Sequence, residues 1–600
     1  MFYTEDKKQY SALNRRTFIL YLLKLSLFSV VGWRLYNIQI KESDKYKTLS
    51  KNNQIDIEII YPLRGKIFDI NNNLLVSNKK VFDIYIIPEN TKNLNKTLNQ
   101  ISEILKIDFS KKRKIIELSK KVQKFEKIKI FENINWQDLE KIENNKLNID
   151  GIFIAQDYMR VYQYGNIFSH LLGYINKPNS EEISLPFIAN MPDLDIGKEG
   201  LEKNFNPILV GKPGQREIEV NSSGRIIREI SRVDSNKGKD LQITLDFRLQ
   251  QYSMNLLNAH RAGSVVVMNI ENGDIKTIAS TPFYDPNKII KKPNKDYWDS
   301  LLSNNLSPLT FRSVQGLYAP GSTFKMIVAI AGLYYGVINN DTEHFCNGKI
   351  ALGDRLYHCW KNNGHGLMNV QNAIKESCDV FFYEISKKIG IDRIAEVAKD
   401  FGLGKIYDLP ISNQKIGIVP SKDWKKKKIG ESWYPGETLI SAIGQGFVLA
   451  NPLQLATMTS IIASNGKLIE PKIINDGNYK EVKKLEKYSS AIKVIKQSMF
   501  KVVNESKGTA FRSKSDDFIF SGKTGTSQVR RITVAERESD DFRKKEIEWE
   551  KRDHALFVGY MPHDKPKYAV SVVIEHGGSG ASTAAPIAKQ IFQFINKNNI

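Results

Sequence analysis

The first strong hydrophobic signal is the apolar run "TFILYLLKLSLFSVVGW", Thr17 to Trp33, set directly behind Arg15 and Arg16. Its length and composition predict a membrane-spanning helix that "RLYNIQI" extends. Basic residues before the run predict a short cytoplasmic tail and export of the chain beyond the helix. Trp33 and Tyr36 suit the outer interface, whereas Lys24 must snorkel or face a partner helix. No A-x-A-like cleavage site comes after the run, which favours an uncleaved single-pass anchor over a signal peptide.

From about residue 45 to 235 the pattern breaks into short mixed segments rich in charge. "YPLRGKIFDINNNLLV" (Tyr61 to Val76) alternates like a strand and runs into an Asn-rich turn. No nucleophile–base arrangement occurs here, so this region is expected to be a structural module. From Gly263, "GSVVVMNIENGDIKTIAS" alternates like two strands joined at Glu271–Asp274. Apolar helical runs come next, near 323–336 and 367–390. Strands return in "DFIFSGKTGTSQV", "HALFVGYMP" and "YAVSVVIEHGG", and the amphipathic "AAPIAKQIFQFINK" closes the pattern. Strands at both ends with helices between them predict an α+β domain whose sheet pairs its termini. The charged run 530–553 is expected to be a solvated helical insertion.

Composition changes this picture little. The 600 residues exceed one core, and 41% hydrophobic with 26% charged residues is globular. The net charge of +22 favours anionic surroundings. No helix-turn-helix, zinc-finger or aromatic-basic stacking pattern occurs, so nucleic acid is the weaker partner.

The chemistry lies in "YAPGSTFKMIVAIAGLYYG", Tyr318 to Gly336. A Pro-Gly turn leads into an apolar helix with Ser322 at its start and Lys325 one turn on. Residues three apart share a helix face, so the Lys325 amine is expected to reach and activate the Ser322 hydroxyl. Ser-x-x-Lys alone is weak: Ser77–Lys80, Ser490–Lys493 and Ser498–Lys501 match it without the turn and long helix. Two further pieces raise its weight. Ser377-Cys378-Asp379 stands at a helix start, and Lys523-Thr524-Gly525-Thr526 comes directly after the predicted strand "DFIFSG". The order S-x-x-K, S-x-[ND], K-T-G is the signature of penicillin-interacting serine enzymes.

With these motifs the chain resembles the class B penicillin-binding proteins, specifically the elongation-type branch, penicillin-binding protein 2. "RGKIFD", Arg160-x-Tyr162, His170 to Tyr174, Gly197 to Glu202, "SAIGQGFVLANPLQLA" and "IEHGGSG" extend the resemblance over nearly the whole chain. The resemblance implies a penicillin-binding/β-lactamase-like transpeptidase domain on an elongated pedestal. It divides the chain into a tail (1–16), a transmembrane anchor (17–38), a dimerisation-type pedestal (39–235) and a transpeptidase domain (236–600). It implies peptidoglycan D,D-transpeptidation during cell elongation, with β-lactams as inhibitors. By that resemblance Ser322 is the nucleophile, Lys325 the base and Ser377 a proton relay. Lys523, Thr524, Gly525 and Thr526 would hold the terminal carboxylate region, and the N–H groups of Ser322 and Thr526 would form the oxyanion hole. Asp379 stands where division-type relatives carry Asn. It is either a substrate contact or structural, and with Glu376 it could also be a helix-start acid. The expected location is the bacterial inner membrane with the catalytic domain in the periplasm. The expected partners are stem peptides, a RodA-like SEDS glycosyltransferase and an MreC-like scaffold. A D,D-carboxypeptidase, a β-lactamase and a non-catalytic β-lactam receptor are the alternatives of the same fold. A bifunctional synthase is a further alternative, but no glycosyltransferase signature precedes the transpeptidase region.

All 3 cysteines of the chain lie within one stretch, as Cys346-x12-Cys359-x5-His365-x12-Cys378. Buried thiols, a disulfide with one thiol left over, and a metal site all fit this pattern. The Cys3His donor set is one that tetrahedral zinc favours, and it would be structural because four protein ligands leave no open position. Some elongation-type relatives resemble this with a zinc at matching positions, carrying Asp for two of the cysteines. That implies one structural zinc on Cys346, Cys359, His365 and Cys378, with His344 competing with Cys346 for the fourth place and His358 a further candidate.

Overall fold

The computed structural model describes residues 15–600 except 46–54, 106–111, 123, 125, 146–148, 186–187, 189–190, 192–193, 222–225, 291–294, 478–481 and 531–546. The predicted anchor is helix α1 (Arg15–Tyr36), continued by a π-helical turn at Asn37–Lys41. The stretch Phe18–Lys41 has mean hydropathy 1.6 and none of it is buried against the rest of the chain. Uncovered apolar surface of that extent fits a single-pass membrane anchor.

Two sheets come next along the chain. Strands β1 (Ile55–Ile60), β2 (Ile67–Phe68), β3 (Leu74–Ile86), β4 (Ile128–Ile134), β5 (Ile152–Tyr162), β6 (Gly214–Val220), β7 (Ile226–Val233) and β8 (Leu241–Gln242) supply both. The first sheet has the order β1-β6-β7; the second runs β8-β2-β3-β4, with β5 on β3. The Asn-rich segment between β2 and β3 turns because Asp69 accepts from the Asn71 and Asn73 N–H groups at 2.9 and 2.7 Å. A small separate core forms around Ile84, Ile86, Leu98, Ile101 and Ile142.

Glu202 ties this region together. Its carboxylate receives Arg64 at 2.6 Å and Arg160 at 2.8 Å, with all three side chains buried. Arg64 also reaches Asn206 at 2.8 Å, and Arg160 reaches the Gly65 carbonyl at 2.7 Å. The residues come from distant parts of the sequence, so this ion triad sets how those segments cross.

The second half is built on a five-stranded antiparallel sheet. Its strands are β9 (Gly263–Asn269), β10 (Ile275–Thr281), β15 (Ser521–Ser527), β16 (His554–Met561) and β17 (Tyr568–Ile574), in the order β10-β9-β17-β16-β15. Gly263 pairs with Ile574, so the two ends of the domain meet in its middle, as the α+β pattern predicts. β9 is buried along its whole length, which differs from the half-exposed strand that alternation implies. Helix Pro452–Ala463 packs on β9, β16 and β17, while Phe247–Leu257 and Ala585–Asn598 pack on each other and on the same sheet. A strand covered on both faces has no solvent side.

Short strands β11 (His344–Cys346), β12 (Lys349–Leu352), β13 (Arg355–His358) and β14 (Gly366–Met368) form two hairpin-like pairs beside the helices α2 (Lys325–Tyr334), α3 (Val370–Lys375) and α4 (Asp379–Ile389). The apolar run 367–390 is therefore two helices and not one: it breaks at Ser377. Most of the charged run 530–553 lies outside the described residues; Trp549–Lys551 is a single 3-10 turn.

Replacing Glu202 with alanine leaves two guanidinium groups facing each other without a counter-charge. Glu202→Ala is expected to lower stability by about 3–5 kcal/mol in denaturant unfolding. Glu202→Gln, which keeps the shape and one accepting oxygen but not the charge, is expected to lose less; equal losses would show that the charge accounts for the whole effect.

Candidate active site

The nucleophile turn is held by close backbone approach. The Gly321 N–H donates to the Gly444 carbonyl at 2.9 Å, and Gly321 has φ +54°. A Cβ on Gly321 would stand 2.5 Å from the Thr526 carbonyl oxygen, and one on Gly444 2.2 Å from the Gly321 carbonyl oxygen. Only glycine fits either place. Ser322 lies in the 3-10 turn Gly321–Thr323, which the Thr323 hydroxyl caps onto the Pro320 carbonyl at 2.7 Å. Ser322 is half-buried while the rest of the turn is buried. Lys325 opens α2, whose side chains are buried through Gly332.

A fully buried ammonium needs a partner. Lys325 Nζ finds Asp379 Oδ1 at 2.7 Å, the Ser377 carbonyl at 2.9 Å and the Ser377 hydroxyl at 3.3 Å. Its ammonium also lies 5.6 Å from the Phe382 ring centroid. The expected Lys325–Ser322 hydrogen bond is not formed. Asp379, a full charge brought in from α4, outcompetes a neutral hydroxyl for the amine. Burial pushes the Asp379 carboxyl up from its ordinary value against the pull of Lys325.

Ser377 reaches this position through a turn that a β-carbon disfavours. The Cys378 N–H donates to the Ala373 carbonyl at 2.9 Å and the Ser377 N–H to the Ile374 carbonyl at 3.3 Å, the paired bonds of a Schellman ending to α3. Glycine is usual at such a position, but here Ser377 holds φ +57°. A non-glycine residue held there stores strain, a feature that clusters at functional sites.

Lys523 Nζ completes the set, donating to the Ser377 hydroxyl at 3.0 Å and the Thr524 carbonyl at 2.9 Å. Burial, then the neighbouring Lys325, hold Lys523 well below an ordinary lysine. Lys523 is therefore buried behind Ser377 and not displayed at the surface. Lys523-Thr524-Gly525-Thr526 lies inside β15, as the strand-like stretch "DFIFSGKTGTSQV" predicts, and of "DFIFSG" only Ser521 and Gly522 belong to the strand, with Asp517–Phe520 preceding it. Among the described residues β15 pairs with β16 alone, so no strand lies along its other edge. Alternation turns Lys523 and Gly525 toward the nucleophile turn. On the other face the Thr524 hydroxyl pairs with Thr509 at 2.7 Å. Thr526 is half-exposed, and its carbonyl accepts from Gln445 at 3.0 Å.

The competing Ser-x-x-Lys matches are explained by their surroundings. Ser77 and Lys80 lie on β3, where residues three apart point to opposite faces. The other two lie on helix Ser489–Asn504, where the Ser498 hydroxyl bonds back to the Val494 carbonyl at 2.7 Å.

The three cysteines and His365 meet directly beside this site. Their ligand atoms lie within 4.8 Å of one another, with His365 Nδ1 at 3.6 Å from Cys346 Sγ and 3.5 Å from Cys359 Sγ. All three thiols are free and buried. A tetrahedral zinc with bonds of about 2.0–2.3 Å spaces its ligands roughly 3.5–3.8 Å apart, a spacing that the two His365 contacts match. The Cys359 thiol is drawn well down by the hydrogen bond from Cys378 and then that from His365. Cys346, and not His344, completes the set: His344 turns edge-on to Phe381 at 5.6 Å. His358 also lies outside it.

Two contributors escape a motif reading. Gln445 holds the Thr526 carbonyl, and only its place in "SAIGQG" marks it. Trp360 comes directly after Cys359; its N–H donates to Asp379 Oδ2 at 2.8 Å and its indole N–H to the Ser377 carbonyl at 3.0 Å. Nothing local in the sequence announces that reach.

Comparison with known proteins agrees on both halves. Residues 263–593 match the penicillin binding protein transpeptidase domain, and residues 59–243 the penicillin-binding protein dimerisation domain. The chain is 31% identical to the peptidoglycan D,D-transpeptidase MrdA of Haemophilus influenzae over 99% of this chain and 93% of that protein. The penicillin-binding protein PBP2 of Helicobacter pylori, solved in complex with MreC, superposes with TM-score 0.80 at 30% identity, covering 91% of this chain and 99% of that one. A chain of a peptidoglycan synthase complex that coordinates polymerization and crosslinking superposes with TM-score 0.72 at 27% identity, over 96% and 98% of the two chains.

The strain at Ser377 separates stability from chemistry. Ser377→Gly is expected to raise stability by roughly 1 kcal/mol while removing the hydroxyl between the two lysines. Ser377→Ala removes the same hydroxyl without that gain. Chemical denaturation of both variants checks this, and an unstabilised glycine variant would refute the strain.

Proposed function

The chain belongs to the penicillin-binding proteins that join a dimerisation domain to a transpeptidase domain, and from that membership we propose that it is a peptidoglycan D,D-transpeptidase of the elongation type. One observation carries the reading. A half-buried serine stands in front of a fully buried chain of polar groups, Lys325–Ser377–Lys523, beside a strand edge that no described strand pairs.

The donor stem peptide lies along that edge of β15, an arrangement that adds a strand to a sheet edge. Ser322 Oγ attacks the carbonyl carbon of the penultimate D-Ala, and its proton passes to Lys325 in the amine form. The N–H groups of Ser322 and Thr526 take the charge that develops on the carbonyl oxygen. The C–N bond then breaks. The proton moves from Lys325 through the Ser377 hydroxyl to the departing D-Ala nitrogen, leaving an ester on Ser322. An acceptor amine attacks that ester, and its surplus proton returns by the same route to Ser322 Oγ as the new amide forms. β-Lactams acylate Ser322 in the first half of this sequence.

Lys325 must shed a proton before it can act as a base. The Ser377 hydroxyl lies 3.3 Å from Lys325 Nζ and 3.0 Å from Lys523 Nζ, which supports transfer between the two amines. Burial and the neighbouring Lys325 disfavour a charge on Lys523, against the pull of Asp379. An arriving substrate carboxylate, met at half-exposed Thr526, makes that charge favourable and frees Lys325.

A structural zinc would be held by Cys346, Cys359, His365 and Cys378. Its chemistry there would be to bind thiolates and imidazole and so join the β11–β14 loops to the start of α4. The N-terminal apolar helix supports a single-pass anchor, and the proposed location of the catalytic domain is the periplasmic side of the inner membrane. An MreC-like scaffold, the partner of the Helicobacter pylori relative, and a RodA-like polymerase are the proposed partners.

Fluorescent penicillin tests the catalytic reading on the full chain in detergent. Covalent labelling is expected for the wild type and none for Ser322→Ala; labelling of the variant would overturn it. Metal analysis tests the zinc. About one zinc per chain is expected, and its removal by a chelator should lower the unfolding temperature. Absence of metal together with a Cys346–Cys359 disulfide would refute the zinc site.

A further inference from the structure

Trp360 lies in the loop between β13 and β14 with 58% of its surface exposed, so apolar burial does not explain its placement. Its hydrogen bonds do. The backbone N–H donates to Asp379 Oδ2 at 2.8 Å. The indole N–H is shared between the Ser377 carbonyl at 3.0 Å and the Glu376 carbonyl at 3.2 Å. Lys325 Nζ takes the other oxygen of Asp379 at 2.7 Å and the same Ser377 carbonyl at 2.9 Å. Trp360 and Lys325 thus grip the same two groups, the Asp379 carboxylate and the Ser377 carbonyl.

We propose that Trp360 is a positioning residue for acyl transfer: its two N–H groups fix the Asp379 carboxylate and the Ser377 carbonyl, and these in turn place the Lys325 amine. The local chain needs such a fixture. Ser377 sits at φ +57° between two helices, in a turn that its own residue type does not favour. A carboxylate with one oxygen untethered can rotate about its terminal bond, which is a broad torsion. With Oδ2 held by Trp360, Oδ1 has one direction left, toward Lys325. The indole adds the second tether on the residue that carries the relay hydroxyl. Trp360 adjoins Cys359, whose Sγ accepts from the Asp379 N–H at 3.3 Å, so the cysteine loop and the catalytic lysine meet in one residue pair. Positioning errors of this kind act on the chemical step and leave initial binding largely alone.

This inference rests on the reading of Ser322 as the acylated serine, and the two fail separately. Trp360→Phe keeps the ring and the backbone N–H but removes the indole donor. Stopped-flow labelling of the full chain with fluorescent penicillin separates the initial binding constant from the first-order acylation constant. The acylation constant is expected to fall about three- to tenfold, the range for one lost hydrogen bond. The binding constant should stay within about twofold, and unfolding temperature and bound metal should be unchanged. Trp360→Ala should show at least the same loss in the acylation constant. An unchanged acylation constant in Trp360→Phe overturns the proposal, as does a fall matched by lost stability or lost metal. If Ser322→Ala still labels, it is the acyl-enzyme reading that has failed.

Discussion

The buried ion pair between Lys325 and Asp379 is the contact on which the catalytic half depends. A lysine with no exposed surface has lost its hydration, and the carboxylate 2.7 Å away is what makes its position tenable. Asp379 can serve only because α4 begins where it does, and α4 begins there because α3 ends in the turn at Ser377. The same turn carries the hydroxyl that touches Lys523 on β15. One charged contact therefore holds together α2, α4 and the edge strand, elements that lie far apart in the sequence.

Close backbone contact supports this arrangement from the other side. Gly321, Gly444 and Thr526 approach within distances that exclude a Cβ at either glycine. That approach sets Ser322 beside β15, whose N–H groups are proposed to meet the developing charge. Catalysis by fixed dipoles needs such preorganisation, because donors that must move into place give back part of their stabilisation. The pedestal uses the same physics for another end: the Glu202 triad makes a crossing of distant segments specific through buried charge.

The cysteine stretch changes meaning once its surroundings are known. Cys346 and not His344 lies with Cys359, His365 and Cys378, because β11 turns His344 to Phe381. Asp379 likewise proves to be more than a helix-start acid: both its oxygens are engaged, one by Lys325 and one by Trp360. Lys523 is settled in the same way: β15 turns it inward to Ser377.

Sequence alone determined what is local and repetitive. The anchor is a run of apolar residues, the terminal strands are alternations, and Ser322 with Lys325 is a spacing on one helix; each comes from a period of a few residues. The S-x-x-K, S-x-D and K-T-G order identified the family because that chemistry needs those residue types in any fold of the class. Only the tertiary structure decided which groups are partners. Lys325 takes Asp379 and not Ser322, Lys523 is buried against Ser377, Cys346 and not His344 lies with the other cysteines, and Trp360 reaches Asp379 and Ser377. Those choices turn on distance, burial and competing charge between segments remote in sequence, and none of these has a period that a linear pattern can carry.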